Sequence, residues 1–276
     1  MSEHQPLGKE FVFTAAHFNT VKTRLYQFAG IKLADSKDAM VYSRLVRRIR
    51  ALKLAGFTAY FEYLQAHESE HQEFINALTT NQTAFFREPH HFEILKQYLQ
   101  AHPHTKRIWC AASSTGEEPY SIAMVVAEYF GRFNTPIEII ASDIDSGVLK
   151  KAQLGIYPIE RIEAVSAERK KAFFQRGRGA QQGNVRVVPE LKQMLQFTRL
   201  NLVDEFWSIK TPIDVIFCRN VMIYFDKTTQ ESILKHMMLS LVDDGLYIAG
   251  HSENFNMFPQ IIKPVGNTTY KAVKGA

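Results

Sequence analysis

Three stretches of this sequence combine residue types that can hold and orient a small ligand. The first, Ala111-Ala112-Ser113-Ser114-Thr115-Gly116-Glu117-Glu118-Pro119-Tyr120-Ser121, leads from small residues, which let a backbone approach closely, into two adjacent carboxylates. The second, Ser142-Asp143-Ile144-Asp145, puts an acidic side chain where it can accept both hydroxyl hydrogens of a ribose, and Asp143 is the ribose candidate. The third, Cys218-Arg219-Asn220-Val221-Met222-Ile223-Tyr224-Phe225, offers a cation, an amide and a phenol in a row, suited to positioning a substrate.

The acidic character of the first turn narrows the chemistry. A dinucleotide site would show G-x-G-x-x-G, whereas this turn holds only Gly116 and is followed by Glu117 and Glu118. Carboxylates are poor neighbours for a pyrophosphate and good ones for the cationic amino group of S-adenosylmethionine. Taken singly, Asp143 also reads as a helix cap and Tyr224 as a packed aromatic. The pair His90-His91 and the separate His251 lack the clustered ligands of a metal site, so no metal is expected.

These turns need a scaffold. Four short apolar runs, Arg107 to Ala112, Ile137 to Ser142, Ile213 to Cys218 and Leu246 to Ala249, alternate with helical patterns and predict a parallel sheet with helices on both faces. In such sheets ligands bind beyond the carboxyl ends of the strands, where the three stretches fall. Weak alternation in Val185 to Val188 and Leu195 to Phe197, around Pro189 and Glu190, predicts a small antiparallel excursion. Val265 to Val273 reads as a final antiparallel strand at the sheet edge.

Upstream, Thr14 to about Thr79 reads as helices only. Phe18, Val21, Leu25 and Phe28 form one stripe, and Val41, Leu45, Ile49 and Leu52 form a second behind the capping candidates Asp35 and Ser36. The opposite face of the second helix carries Arg44, Arg47 and Arg48. After irregular residues 81–89, Pro89 can open a helix through Phe92, Leu95 and Leu99. The organisation expected is an all-helical domain at 10–79 and an α/β domain at 80–276, with the β excursion at about 176–200.

The chain has 276 residues, 46% of them hydrophobic, enough for a small domain and a medium one. A polar start and the lack of any uncharged span predict a soluble, unprocessed protein. Cys110 and Cys218, both inside apolar runs, are expected to fill the core in a reducing compartment. A net charge of +5 with pI near 9.1 points to an acidic partner without choosing between nucleic acid, membrane surface and protein.

The segments Asn81-Gln82-Thr83-Ala84-Phe85-Phe86-Arg87-Glu88, Ala112 to Ser121, Ala141 to Asp145 and Cys218 to Asp226 resemble the signature blocks of the CheR family of chemotaxis receptor methyltransferases. Gly250-His251-Ser252-Glu253-Asn254 resembles that family's late block, and the likeness covers nearly the whole chain. It implies a class I S-adenosylmethionine-dependent methyltransferase fold, an α/β Rossmann-like sheet with a small antiparallel β-subdomain insertion, preceded by an all-α N-terminal domain. It implies S-adenosylmethionine as cofactor, with S-adenosylhomocysteine as product.

By the same resemblance the cofactor ligands are Asn81, Thr83, Arg87, Glu118, Asp143, Asn201, Leu202, Arg219 and Asn220. Between the adjacent Glu117 and Glu118, Glu118 is chosen for the methionine amino group. Arg87 and Tyr224 are the expected catalytic residues, Arg87 steering the substrate carboxylate and Tyr224 orienting it. Arg44, Arg47 and Arg48 would face the acidic helices of the receptor. The loop Arg176 to Val188 resembles that of members that dock a receptor's C-terminal tail peptide.

The expected reaction is esterification of glutamates in the cytoplasmic signalling domain of methyl-accepting receptors, with no nucleic acid partner and no membrane insertion. Two other classes are weighed against it: a nucleic acid methyltransferase, suggested by pI, and a module that binds cofactor and receptor without transferring a methyl group. The Asn/Asp-Pro-Pro-aromatic tetrapeptide of many amino-methylating enzymes is absent, and the presence of Arg87 and Tyr224 favours catalysis.

Overall fold

The computed structural model describes residues 10–273, which form two compact units. The first comprises the described residues up to Thr80 together with Tyr224–Asp226, and the second comprises Asn81–Ile223 and the chain from Lys227 onward.

The first unit is built on α1 (Ala15–Ala29), α2 (Asp38–Ala51), α3 (Phe57–Ala66) and α4 (Glu68–Leu78). Thr14 starts α1 with a reciprocal cap, its hydroxyl accepting from His17 N at 3.2 Å while the His17 ring accepts from Thr14 N. Gly30, at φ 68°, ends it. Phe18, Val21 and Leu25 from α1, Val41, Leu45 and Ile49 from α2, and Tyr60 and Phe74 from α3 and α4 are buried together. Each such side chain contributes roughly 1.5–3 kcal/mol by leaving water. The expected capping by Asp35 and Ser36 is not found, because Asp35–Lys37 is itself a 3₁₀ turn and α2 begins beyond it.

In the second unit α5 (His90–Ala101) leads into β1 (Arg107–Cys110), α6 (Glu117–Phe130), β2 (Glu138–Asp143) and α7 (Ser146–Leu154). There follow β3 (Ile156–Pro158), α8 (Ala167–Phe173), β4 (Phe174–Arg176), β5 (Asn184–Val187), the one-turn α9 (Pro189–Lys192) and β6 (Leu195–Arg199). The chain then runs through β7 (Ile213–Cys218), α10 (Lys227–Ser240), β8 (Leu241–Ala249), β9 (Ile262–Gly266) and β10 (Thr269–Ala272).

Seven strands make one sheet in the order β6-β2-β1-β7-β8-β10-β9. The first five are parallel, and β10 and β9 are antiparallel additions. The central strands are apolar through their middles because helices cover both faces: Ile108, Trp109, Cys110, Val215, Ile216 and Phe217 have no exposed surface.

Two expectations need correction. The small antiparallel sheet is β3-β5-β4, spanning 156–187 rather than about 176–200. Leu195–Arg199 lies outside it and pairs in parallel with β2 as the edge of the main sheet. An edge strand of five residues with only Leu195 buried alternates as weakly as an excursion strand does, so pattern alone misplaces it. The carboxyl terminus is a hairpin rather than one strand, with β10 against β8 and β9 outside it.

Candidate functional site

The order β6-β2-β1-β7 puts four parallel strands side by side, so the turns that leave their carboxyl ends share one sheet edge. Asn201-Leu202 follows β6, Asp143 closes β2, Ser113 to Glu118 follows β1, and Arg219-Asn220 follows β7. Backbone bonds extend the ladder into these turns: Leu200 N to Asp143 O at 3.0 Å, Ser113 N to Ser142 O at 2.9 Å and Ala111 N to Phe217 O at 2.8 Å. Residues 29 to 106 apart in sequence are thereby fixed as neighbours.

Asp143 is buried and accepts from Ser114 N at 2.8 Å and from Asp145 N at 2.9 Å. Burial pushes its carboxyl up to about 6, with the two N–H bonds pulling the other way. It is not the helix cap: that role falls to Asp145, which accepts from Gly147 N and Val148 N at the start of α7. Gly116, at φ 100°, closes the β1 turn, and a Cβ there would lie 2.8 Å from the Tyr157 hydroxyl and 2.9 Å from Ala152 Cβ.

The adjacent carboxylates have different environments. Glu117 has no exposed surface and both of its oxygens are engaged, one by Thr115 Oγ1 at 2.6 Å and the other by the Arg161 guanidinium. Glu118 faces the sheet edge, where Arg219 Nη1 donates to its Oε2 at 2.5 Å and the Cys110 thiol to its Oε1 at 3.3 Å. Burial, with Glu118 beside it, holds the Cys110 thiol well above its usual range, so it stays a donor. Arg219 is itself buried; burial works against its charge, and Glu118 and Glu88 outweigh that and hold its pKa above the ordinary value.

The segment before α5 is tied to the same edge. Asn81 Nδ2 donates to Asp145 Oδ2 at 2.7 Å, and Ser114 Oγ donates to Asn81 O at 2.9 Å. Thr83 O accepts from Arg161 at 3.1 Å. Arg87 gives its carbonyl to Arg219 Nη2 at 2.5 Å, and its half-buried side chain donates to Gln82 O at 3.1 Å. Phe86, Glu88, Ser114 and Asn220 all have φ between 48° and 58°, a region that costs side-chain-bearing residues energy.

Tyr224 groups with the first unit, where its carbonyl accepts from Lys32 N at 2.8 Å and where Tyr26 donates to Asp226 at 2.7 Å. Of the α2 arginines, Arg44 donates to Leu78 O and Thr79 O, and Arg48 forms a two-pronged pair with Glu70, so both serve the helical unit itself. Arg47 is exposed. The sequence points to Cys110 only as a core residue and to Asp145 only by its place in a strand-end turn, and Arg161, in the turn after β3, carries no such signal.

Among the described residues no cluster of three His, Cys, Asp or Glu side chains could hold a metal, and no helix is long and apolar enough to cross a membrane.

Residues 81–271 match the family described as "CheR methyltransferase, SAM binding domain", and residues 16–79 match "CheR methyltransferase, all-alpha domain". The chain is 52% identical over 267 residues to "Chemotaxis protein methyltransferase 2" of Pseudomonas aeruginosa, covering 95% of each protein. It is 48% identical over 270 residues to "Chemotaxis protein methyltransferase" of Salmonella typhimurium, covering 97% of this chain and 94% of that one. It is 47% identical over 270 residues to the protein of the same name in Escherichia coli, covering 97% and 94%.

Proposed function

The chain belongs to the CheR methyltransferase family, and from that premise we propose that it esterifies glutamate side chains in the cytoplasmic signalling domain of methyl-accepting chemotaxis receptors. It is an S-adenosylmethionine-dependent methyltransferase with a class I fold and an all-α amino-terminal domain. The observation that carries the proposal is the convergence of Glu118, Asp143, Asn201 and Arg219 on the carboxyl ends of four adjacent parallel strands. The site of action is the cytoplasm.

The residues present suit this cofactor. Two buried carboxylates, Asp143 and Glu118, offer acceptors for ribose hydroxyls and an ammonium group, and Ser113 Oγ and Arg219 Nε are buried without a hydrogen-bond partner. Oε1 of Glu118 takes only a weak thiol donor and keeps acceptor capacity for an ammonium hydrogen. When bound, S-adenosylmethionine supplies a methyl group activated by its sulfonium centre. Asn81, Thr83, Arg87, Asn201, Leu202, Arg219 and Asn220 complete the proposed binding set.

A receptor glutamate, with an ordinary pKa of about 4.3, is already a carboxylate nucleophile at neutral pH, so the chain needs no general base. Its task is alignment and removal of water, and good alignment alone reaches effective molarities of ~10⁵ M or more. Arg87 steers the carboxylate and Tyr224 orients it. Their hold on the reacting oxygen has to be partial, since a full bidentate pair would weaken the nucleophile.

Exposed Arg47 is the α2 arginine best suited to meet an acidic receptor helix, because Arg44 and Arg48 are engaged within their own unit. A receptor tail peptide would add to the β3-β5-β4 sheet, whose free edges β3 and β4 suit strand addition. A hollow lined by Arg186, Val187, Pro189, Lys192 and Gln193 adds two cations for an acidic peptide.

The test is to incubate the protein with methyl-labelled S-adenosylmethionine and receptor signalling domains, then collect label released as methanol by mild base. Volatile counts that vanish when receptor glutamates are replaced by alanine are expected. Label fixed instead in RNA or DNA would move the function to nucleic acid methylation. Cofactor binding without transfer to any receptor would leave a binding module.

A further inference from the structure

We propose that Glu253 is a positioning residue for the cofactor site, its carboxylate acting as the internal anion that shapes the turn presenting Arg219 and Asn220. The inference rests on the reading that those two residues hold the cofactor.

The side chain of Glu253 is buried and accepts four backbone N–H bonds. Its Oε2 takes Asn220 N at 3.0 Å and Gly250 N at 2.7 Å, and its Oε1 takes Val221 N at 2.9 Å and Met222 N at 2.8 Å. Three of the donors are consecutive and begin directly after Arg219. Buried N–H groups must find acceptors, and here a single carboxylate serves the whole turn where strand pairing has ended. Burial raises the Glu253 carboxyl above its ordinary range, with the four N–H bonds pulling it back down.

The neighbouring geometry is shaped to the same end. Strands β7 and β8 are paired to Cys218 and Ala249, so both chains leave the sheet together and Asn220 comes to rest against Gly250. A Cβ at Gly250 would collide with the Asn220 side chain and lie 2.9 Å from its backbone nitrogen. Glu253 N bonds Gly250 O at 3.0 Å, closing the turn that carries the carboxylate. Asn220 meanwhile sits at φ 58°, in the left-handed region that asparagine tolerates better than most residues with a side chain. Rotation of the 219–220 peptide would turn the Arg219 side chain away from Glu118, so the four bonds to Glu253 set the direction of a side chain they never touch.

The experiment is calorimetric titration of S-adenosylhomocysteine into the full-length protein and its variants, with thermal midpoints recorded alongside. Glu253→Gln puts an amide N–H₂ among N–H donors, and its Kd is expected to rise about tenfold or more. In Glu253→Ala, added formate is expected to recover affinity that an equal concentration of chloride does not, a response that a merely structural role would not give. A Glu253→Gln Kd within about twofold of the parent would overturn the proposal, provided Asn220→Ala and Arg219→Lys weaken binding. So would an affinity loss in Glu253→Ala that formate leaves unchanged. If Asn220→Ala and Arg219→Lys leave the Kd untouched, it is the reading of the site that fails. Should Glu253→Gln not fold, Glu253→Asp keeps the charge on a shorter stem, and an unchanged Kd in that variant counts against the proposal in the same way.

Discussion

Each unit sets an arginine against a buried glutamate, Arg48 half-buried and Arg219 buried, and the two arrangements differ in what they leave unsatisfied. In the helical unit Arg48 meets Glu70 through two parallel bonds at 2.9 and 2.5 Å, and the Tyr60 hydroxyl adds a third at 3.0 Å. No described side chain of that unit is among those with buried polar atoms lacking a partner. At the strand edge Arg219 reaches Glu118 and the Arg87 carbonyl, yet its Nε and the nearby Ser113 Oγ are buried without one. Backbone at positive φ surrounds it, at Phe86, Glu88, Ser114 and Asn220. A closed pair on relaxed helices serves architecture. An open pair on strained turns keeps polar capacity that a ligand could use.

The sharpest way to break that contrast is to remove both arginines in turn. Arg219→Met removes the cation that Glu118 and Glu88 share, and kcat/KM should fall by about 100-fold or more with a raised Kd for S-adenosylhomocysteine. Arg48→Met strands the buried Glu70 and should cost about 3 kcal/mol in urea unfolding, with that Kd unchanged. An Arg48 variant that loses cofactor affinity, or an Arg219 variant that loses only stability, would dissolve the distinction.

The same contrast explains what could be read from the sequence. Parallel strands read well because β1, β2 and β7 are buried on both faces, and the rule that ligands gather at their carboxyl ends points to Asp143 and to the turns holding Glu117-Glu118 and Arg219-Asn220, while the choice of Glu118 rests on the family resemblance. Asn201-Leu202 carries no such signal, since β6 is a half-exposed edge strand that was assigned to the wrong sheet. The basic face of α2 followed from helical spacing, but the residues that engage it do not: Glu70 lies 22 residues from Arg48, and the Leu78 carbonyl 34 from Arg44. Glu253 has no role legible in the sequence, because it acts on backbone N–H groups, which every residue but proline has.

A finer contrast is available within one helical turn. Glu117 is closed by Thr115 and Arg161, and Glu118 is open toward the sheet edge. Glu118→Gln should raise the Kd for S-adenosylhomocysteine about tenfold by weakening its acceptor for an ammonium group. Glu117→Gln should cost about 1–3 kcal/mol of stability and leave the Kd within error. Equal losses of affinity would mean that the α6 terminus acts as one charged unit rather than as a closed and an open carboxylate.

Asp143 gives the most specific effect, because it belongs to the open edge and its carboxyl is pushed up to about 6 by burial. An acid raised above its unfolded value of about 3.9 stabilises the folded chain fully below that value, and the contribution is lost as pH rises through about 6. Ribose hydroxyls, however, need the charged carboxylate as acceptor. Affinity for S-adenosylhomocysteine should therefore fall as pH drops below about 6, approaching tenfold per unit if only the charged form binds. The ligand-free protein should gain stability from this group over the same interval. Opposite slopes for binding and stability separate Asp143 from a general acid effect, since acid-induced loosening would lower both. Asp143→Asn, which cannot titrate, should flatten both slopes, and a pH dependence of binding that survives in that variant would assign it to another group.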